Sequence, residues 1–231
     1  SLMSYTYNQL TDVQNSVAAI DADTGELAGG QLQEQVAEAN SLLVQIRDLT
    51  GAIEKIYISG QQPNDLLDQR DLLLEELSKF GPLKVEFKTV NGKPTGGLEL
   101  DLFGIDVMAT ETELRLALET TDNEGSVSED IWLYMGTGDG TASINLTEDC
   151  NDTSQGGSLL GLERARQNLA TFKDHLNDLA TSMRDAILAV NEEPPSAELT
   201  KFFIGDLVGD PVDGTFRVED GLLSNPALLD G

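Results

Sequence analysis

Three observations predict an α+β fold, an elongated antiparallel helical bundle or rod carrying a small, mostly antiparallel β insertion. Apolar residues recur at alternating steps of three and four over the first part of the chain and again over residues 162–190. Between these stretches, residues 83–148 switch to a period of two. Asn91-Gly92, the residue pair that a two-residue hairpin turn favours, lies within the period-two region.

The first helical stripe runs Leu10, Val13, Val17, Ile20, Thr24, Leu27. After a break at Gly29-Gly30 a second runs Leu32, Val36, Ala39, Leu43, Ile46, Leu49, Ile53, Ile56. Both are narrow and flanked by polar residues such as Gln31, Gln33, Glu34, Glu38 and Asn40, which suits a coiled-coil seam better than a broad globular face.

Gly60 and Pro63 end that helix and begin another, with Asn64 as the expected N-cap and Asp65 and Asp68 opposing the positive end of the helix dipole. Leu66, Leu67, Arg70, Leu73, Leu74, Leu77 and Phe80 then fall on one side, and Gly81-Pro82 stops the helix. The leucines are expected to pack the rod. Arg70, set among them, is expected to pair with a carboxylate from another helix.

Leu83, Val85, Phe87 and Thr89 alternate with Lys84, Glu86 and Lys88, and Leu98, Leu100 and Leu102 alternate with Glu99 and Asp101. Further strands are expected at 105–109, 113–118, 131–135 and 142–146, in a largely antiparallel sheet. Gln155-Gly156-Gly157-Ser158 closes this region, with Ser158 as the cap of the next helix. From Leu162 the seam continues Ala165, Leu169, Phe172, Leu176, Leu179, Met183, Ala186, Val190. Pro194-Pro195 ends it, short strands and turns follow, and Ser224-Asn225-Pro226 reads as another helix start. The expected organisation is therefore 1–81 as the first part of the rod, 82–155 as the β insertion, 156–193 as the second part, and 194–231 as a loop- and β-rich segment.

Forty-one Asp and Glu oppose 14 Lys and Arg, a formal charge of −27, with a pI near 4.1. Such a surface repels phosphate backbones and anionic lipid, so neither nucleic acid nor membrane is an expected partner. The acids are spread through every segment and read as a solvated face. Cys150, the only cysteine, leaves no intrachain disulfide, and the neighbouring Asp149 and Asp152 raise its thiol pKa, which argues against a nucleophile.

His175 is the only histidine and supports no His-rich zinc site. Gly136-Thr137-Gly138-Asp139-Gly140 lacks the Lys-Ser/Thr pair and following helix of a phosphate-binding loop and reads as a strand-connecting turn. Asp206, Asp210 and Asp213, or Asp139 with Glu148 and Asp149, are groupings of the kind that hold calcium, but neither matches the twelve-residue loop. No catalytic residue, cofactor or metal is expected.

The run PNDLLDQRDLLLEELSKF resembles the signature of the flagellar hook-associated protein 1 family, the hook–filament junction proteins. GGSLLGLERARQNLATFKDHLNDLATSMRDAILAVNEE is similar to a later helix of that family, TKFFIG resembles the paired phenylalanines after it, and LLSNPALLDG follows in the family's order. The resemblance covers most of the chain from Ser4 onward, whereas the acidic region 119–153 matches no family motif.

The resemblance implies a non-enzymatic structural protein of the bacterial flagellum. Such a protein is extracellular, exported through the flagellar secretion apparatus without a cleaved leader, and placed as a ring between hook and filament. It implies self-association of the full-length protein, and hook protein, the second hook–filament junction protein and an export chaperone as partners. The chain is expected to be the family's central part, without the heptad-rich ends that drive polymerisation. The competing readings are another flagellar axial protein, flagellin-like or the second junction protein, or a secreted acidic calcium- or carbohydrate-binding protein. DLLDQRD favours the first reading over a flagellin.

Overall fold

The computed structural model describes the backbone of residues 2–21, 27–109, 112–123, 126–136, 142–190, 203–204 and 217–218, and side chains within 3–21, 27–109, 112–119, 130–136 and 142–186. It is an α+β chain that divides into two compact units, one of residues 15–167 and one of residues 1–14 with 168–231.

The larger unit begins with the end of helix α1 (Leu2–Val17), followed by strands β1 (Ala19–Ile20) and β2 (Leu27–Gly29), which pair antiparallel. The helical stripe expected to continue through Ile20 to Leu27 therefore stops at Val17, and Thr24 lies outside the described residues. Val17 and Ala18 are buried, and Gly30, at φ +105°, sits so close to them that a Cβ would stand 2.7 Å from the Val17 carbonyl oxygen. The chain must reverse there, which a continuous helix cannot do.

Helix α2 (Gln31–Ile58) keeps the expected second stripe: Leu32, Val36, Ala39, Leu43, Ile46 and Ile53 are buried. A short connection leads to helix α3 (Asn64–Ser78), which packs back on α2. Strands β3 (Leu83–Val90) and β4 (Lys93–Leu102) form the expected hairpin. Asn91 and Gly92 take φ of 54° and 75°, the left-handed pair of a type I′ turn. Cross-strand pairs Leu83–Leu102, Val85–Leu100 and Phe87–Leu98 share one face, and the β4 leucines are buried beneath α2.

Strand β5 (Ile105–Asp106) ends after two residues, short of the expected 105–109. The Asp106 carboxylate accepts from the Met108 N–H at 2.8 Å, a local turn that takes the backbone out of the ladder. Strands β6 (Leu114–Asn123) and β7 (Ser126–Met135) are longer than expected and pair along their whole length. Leu114–Met135, Leu116–Leu133 and Leu118–Ile131 supply their apolar face.

Strand β8 (Ala142–Asn145) pairs with β7 and stops one residue short of the expected 142–146, where a short helix, α4 (Leu146–Asp149), begins. Asn145 decides the change: its side-chain oxygen accepts from the N–H groups of Thr147 and Glu148, an N-cap. One core joins these elements, from Leu32 to Ile46 on α2, through Leu98–Leu102 and Ile131–Met135, to Leu159 and Leu160 at the start of helix α5 (Ser158–Val190). Each fully buried leucine contributes about 2 kcal/mol.

In the smaller unit α1 and α5 pack on each other. Ala180 is buried, with Met3, Tyr7 and Leu176 against it. Met3 lies against Ala180, while Lys173 Nζ lies 4.8 Å from the centre of the Tyr7 ring and donates to Gln14 Oε1 at 3.0 Å, so numbers rise along α1 as they fall along α5. The helices are antiparallel. Strands β9 (Phe203–Ile204) and β10 (Arg217–Val218) pair antiparallel. Among the described residues no helix is long and apolar enough to cross a membrane.

Candidate functional site

The acid- and leucine-rich helix α3 packs against α2 in the larger unit. Its inward side is Arg70, Leu74 and Leu77, continued by Phe80, all buried; Leu66, Leu67 and Leu73 are half-buried at the edges. Leu72 is 63% exposed. Asp65, Asp68, Asp71, Glu75 and Glu76 face solvent, so the acids of this run solvate the helix while its leucines pack.

Asn64 does not cap α3. It is the first helical residue and is exposed; Pro63 holds the cap position without a side-chain hydrogen bond, and its carbonyl accepts from the N–H groups of Leu66 and Leu67. Proline has no hydroxyl or carboxylate to offer, and its ring presets the backbone instead.

Arg70 departs from the expected ion pair with another helix. It is 2% exposed, and Nη1 donates to the Gly96 carbonyl at 2.5 Å. The guanidinium lies 5.3 Å from the centre of the Phe87 ring, while Nε is buried with no hydrogen-bond partner. Burial lowers the Arg70 pKa, and the negative field of Asp71, Tyr57 and Glu54 opposes that shift. The side chain therefore joins α3 to the β3–β4 hairpin.

The hairpin in turn lies against α2 at glycines. Gly96, at φ +85°, has Ile53 Cγ2 and Tyr57 Cδ2 only 2.7 Å from where a Cβ would stand. Strand and helix touch backbone to side chain, and no larger residue fits.

Two polar residues of α2 hold the other strands. Asn40 grips the backbone of Leu114 twice: Nδ2 donates to the carbonyl and Oδ1 accepts from the N–H, both at 2.8 Å. Arg47 Nη2 donates to the carbonyls of Val107 and Thr112, at 2.6 and 2.8 Å. In sequence Asn40 reads as a flanking polar residue; the available signal was its place one step from Ala39 and three from Leu43 on the buried stripe.

Helix α5 starts on the end of α3. Ser158 N–H donates to the Lys79 carbonyl at 2.8 Å and Leu159 N–H to the Phe80 carbonyl at 3.3 Å, so donors at one helix start meet acceptors at another's end. A Cβ on Gly157 would lie 2.5 Å from Gly81 Cα, which explains why this turn is glycine. The Ser158 side chain is accordingly not the cap; its hydroxyl donates to Gln35 Oε1 at 2.5 Å.

Two turns on, a buried network forms. Arg166 Nε and Nη2 donate to the two oxygens of Glu163, each at 2.7 Å. Glu163 also accepts from Thr147 Oγ1, which accepts from the Ile131 N–H, so α5, α4 and β7 are linked in one chain of hydrogen bonds. Glu163 is fully buried and Arg166 nearly so. Their i, i+3 spacing was the sequence signal for this pair.

Cys150 is buried beside the network, with Sγ donating to the Thr147 carbonyl at 3.3 Å. Its thiol is pushed above the ordinary value chiefly by burial, then by Glu163, with Asp149 the smallest contribution. The sequence reading gave the direction of that shift, but its main cause is the fold.

The second predicted seam is turned relative to its expected face. Leu176 and Leu169 are half-buried, whereas Phe172, Leu179 and Met183 are 56%, 50% and 43% exposed. Leu176 is shared by two arcs of similar spacing, 172-176-179-183 and 173-176-180. Helix α1 covers the second, where Ala180 and Leu176 meet Met3 and Tyr7 and the Lys173 amine lies over the Tyr7 ring and donates to Gln14. Ala165 and Ala186 are also exposed. Val190 has no described side chain.

His175 is exposed on α5. Asp206, Asp210, Asp213 and residues 137–140 lie outside the described residues, as does the proposed helix start at Asn225. Among the described residues no group of three or more His, Cys, Asp and Glu side chains is placed to hold a metal ion. What the arrangement does is mechanical: polar anchors and glycine contacts hold a hairpin, a second sheet and the start of α5 against α2 and α3.

A profile of the family described as "Flagellar hook-associated protein FlgK helical domain" matches residues 3–193. The chain is 32% identical over 96 residues to "Flagellar hook-associated protein 1" of Bacillus subtilis (strain 168), an alignment spanning 42% of this chain and 17% of that protein. Its fold is similar to the solved structure of "the flagellar hook junction protein FlgK from Burkholderia pseudomallei", with TM-score 0.53 and 24% identity over 82% of this chain and 30% of that one. The matched parts thus span less than a third of the length of either protein.

Proposed function

We propose, from the premise that this chain belongs to the flagellar hook-associated protein FlgK helical domain family, that it is a structural part of the bacterial flagellum at the junction between hook and filament. The family match over residues 3–193 carries this reading. The interior of the larger unit supports it, because its buried polar groups are spent on fastening elements together: Arg70 on Gly96, Asn40 on Leu114, and Glu163 on Arg166 and Thr147.

In this reading the chain is a structural component and not a catalyst. The full-length protein self-associates and contacts hook protein and the second hook–filament junction protein, and an export chaperone accompanies it to the flagellar secretion apparatus, which exports it without a cleaved signal peptide. Residues 1–81 and 156–193 serve as the rod and 82–155 as its β insertion.

Gold-labelled antibody raised against this chain tests the assignment on intact flagella of the source bacterium. A single cluster of label at the hook–filament boundary is expected. Label distributed along the filament would overturn it in favour of a flagellin-like role, and label absent from flagella would exclude the flagellum altogether.

A further inference from the structure

We propose that the free edge of strand β3 pairs with the same strand of a second copy of this chain, antiparallel and centred on Val85, an inference that does not rest on the flagellar assignment. Strand β3 lies at the edge of the sheet β3-β4-β5, and among the described residues β4 is its only strand partner. Its neighbours fix which backbone groups face outward. The Leu100 carbonyl accepts from the Val107 N–H, on the side away from β3, so Leu100 and its partner Val85 turn their backbone groups away from each other. The Pro82 carbonyl accepts from the Phe103 N–H, the opposite phase at the start of the strand. By alternation Leu83, Val85 and Phe87 direct N–H and C=O to the free edge, where no group among the described residues bonds them.

The side chains along the edge select the partner. Lys84 and Glu86 share the outer face, 67% and 59% exposed and paired with each other at 2.8 Å. In a two-fold pairing about Val85, each Lys84 comes opposite Glu86 of the other copy, so the lysine that would repel a foreign strand is answered. Leu83 comes opposite Phe87, whose side chain is 58% exposed, and Val85 opposite Val85. Leu83-Lys84-Val85-Glu86-Phe87 is thus complementary to its own reverse. Neighbouring registers fail. Centring on Glu86 sets glutamate against glutamate and Lys84 against Lys88, with the backbone groups out of phase. Centring on Phe87 carries the ladder into the register shift between Phe87 and Thr89. A two-fold contact closes at two copies, so this one is distinct from any contact that builds a ring.

Disulfide cross-linking reads the register. Lys84→Cys and Glu86→Cys chains, each retaining the buried Cys150, are oxidised separately and as an equal mixture. In the proposed pairing, positions 84 and 86 of opposite copies form the closer kind of cross-strand pair, with Cα atoms about 4.5 Å apart and within reach of a disulfide. Positions 84 and 84, or 86 and 86, lie on the longer diagonals. A covalent dimer is therefore expected in the mixture at about tenfold the yield of either variant alone. Adding Val85→Pro to both chains removes an outward N–H and no bond to β4, and should abolish that dimer with little change in Tm. Cross-linking in the mixture no greater than in the separate variants would overturn the proposal, whatever Val85→Pro does to the fold. A dimer that persists in Val85→Pro with an unchanged melt would overturn it as well.

Discussion

The guanidinium of Arg70 donates to the carbonyl of Gly96, 26 positions away, and so ties the middle of helix α3 to the inner strand of the β hairpin. Arg70 is among the largest fully buried side chains described, and its long stem lies between leucines that the helix would otherwise have to fill with apolar volume. One residue thus supplies packing, a hydrogen bond and a cation facing the Phe87 ring.

Arg70→Ala removes all three and is expected to destabilise the chain by on the order of 3 kcal/mol, through the cavity and the unpaired Gly96 carbonyl. Arg70→Met keeps most of the stem and relieves the buried Nε, so it should lose about 1 kcal/mol. Urea unfolding of the two variants separates them; equal losses would mean that the stem contributes nothing.

Gly96→Ala meets both obstacles at once: a left-handed backbone and side chains of Ile53 and Tyr57 at 2.7 Å. A loss of about 3 kcal/mol is expected. Gly92→Ala, at φ +75° with open space around it, isolates the backbone contribution and should lose about 1 kcal/mol. Thermal melts of the pair measure the close approach by difference.

Glu163→Gln removes the carboxylate that accepts two hydrogen bonds from the buried Arg166 guanidinium, and about 3 kcal/mol of stability should disappear. Replacing Glu163 and Arg166 together by Met should lose less than the single change, since no buried charge is stranded. Denaturant midpoints of the single and double variants give the comparison.

Cys150 should resist alkylation by iodoacetamide in the folded chain and react at a normal rate in urea, because burial shields the thiol and raises its pKa above the ordinary 9.0. The sign for stability follows from the raised folded value. The contribution is fully present below the unfolded thiol's pKa and is lost as pH rises through the folded one, so Cys150→Ala should show a shallower alkaline decline. Mass spectrometry reads the first effect and a pH series of melts the second.

Leu179→Gln should change stability by no more than about 0.5 kcal/mol, since half of Leu179 is already in water. Ala180→Leu, one residue on, forces bulk into the contact with Met3, Tyr7 and Leu176 and should lose 1–3 kcal/mol or roughly that. Melting curves that reversed this order would restore the seam to the face through Phe172 and Leu179.

The sequence by itself determined the class, the long helices and the hairpin. Steps of three and four from Leu32 to Ile56, alternation from Leu83 to Leu102, and Asn91-Gly92 act through neighbours in the chain, so their signal is local. The motifs of 63–80 and 156–193 carried the family in the same way, and the family profile matches across them.

The tertiary structure decided which groups meet across long separations. Arg70 faces a backbone carbonyl instead of an acid because β4, not another helix, comes to lie over it. The starts of α3 and α5 do without the side chains of Asn64 and Ser158 because Pro63 and the end of α3 provide the acceptors. The exposed arc of α5 was chosen by α1, since a periodic stripe names the spacing of a contact but not which neighbouring arc a partner covers. Burial, and with it the raised thiol of Cys150, is a property of the packed whole that no neighbouring residue encodes.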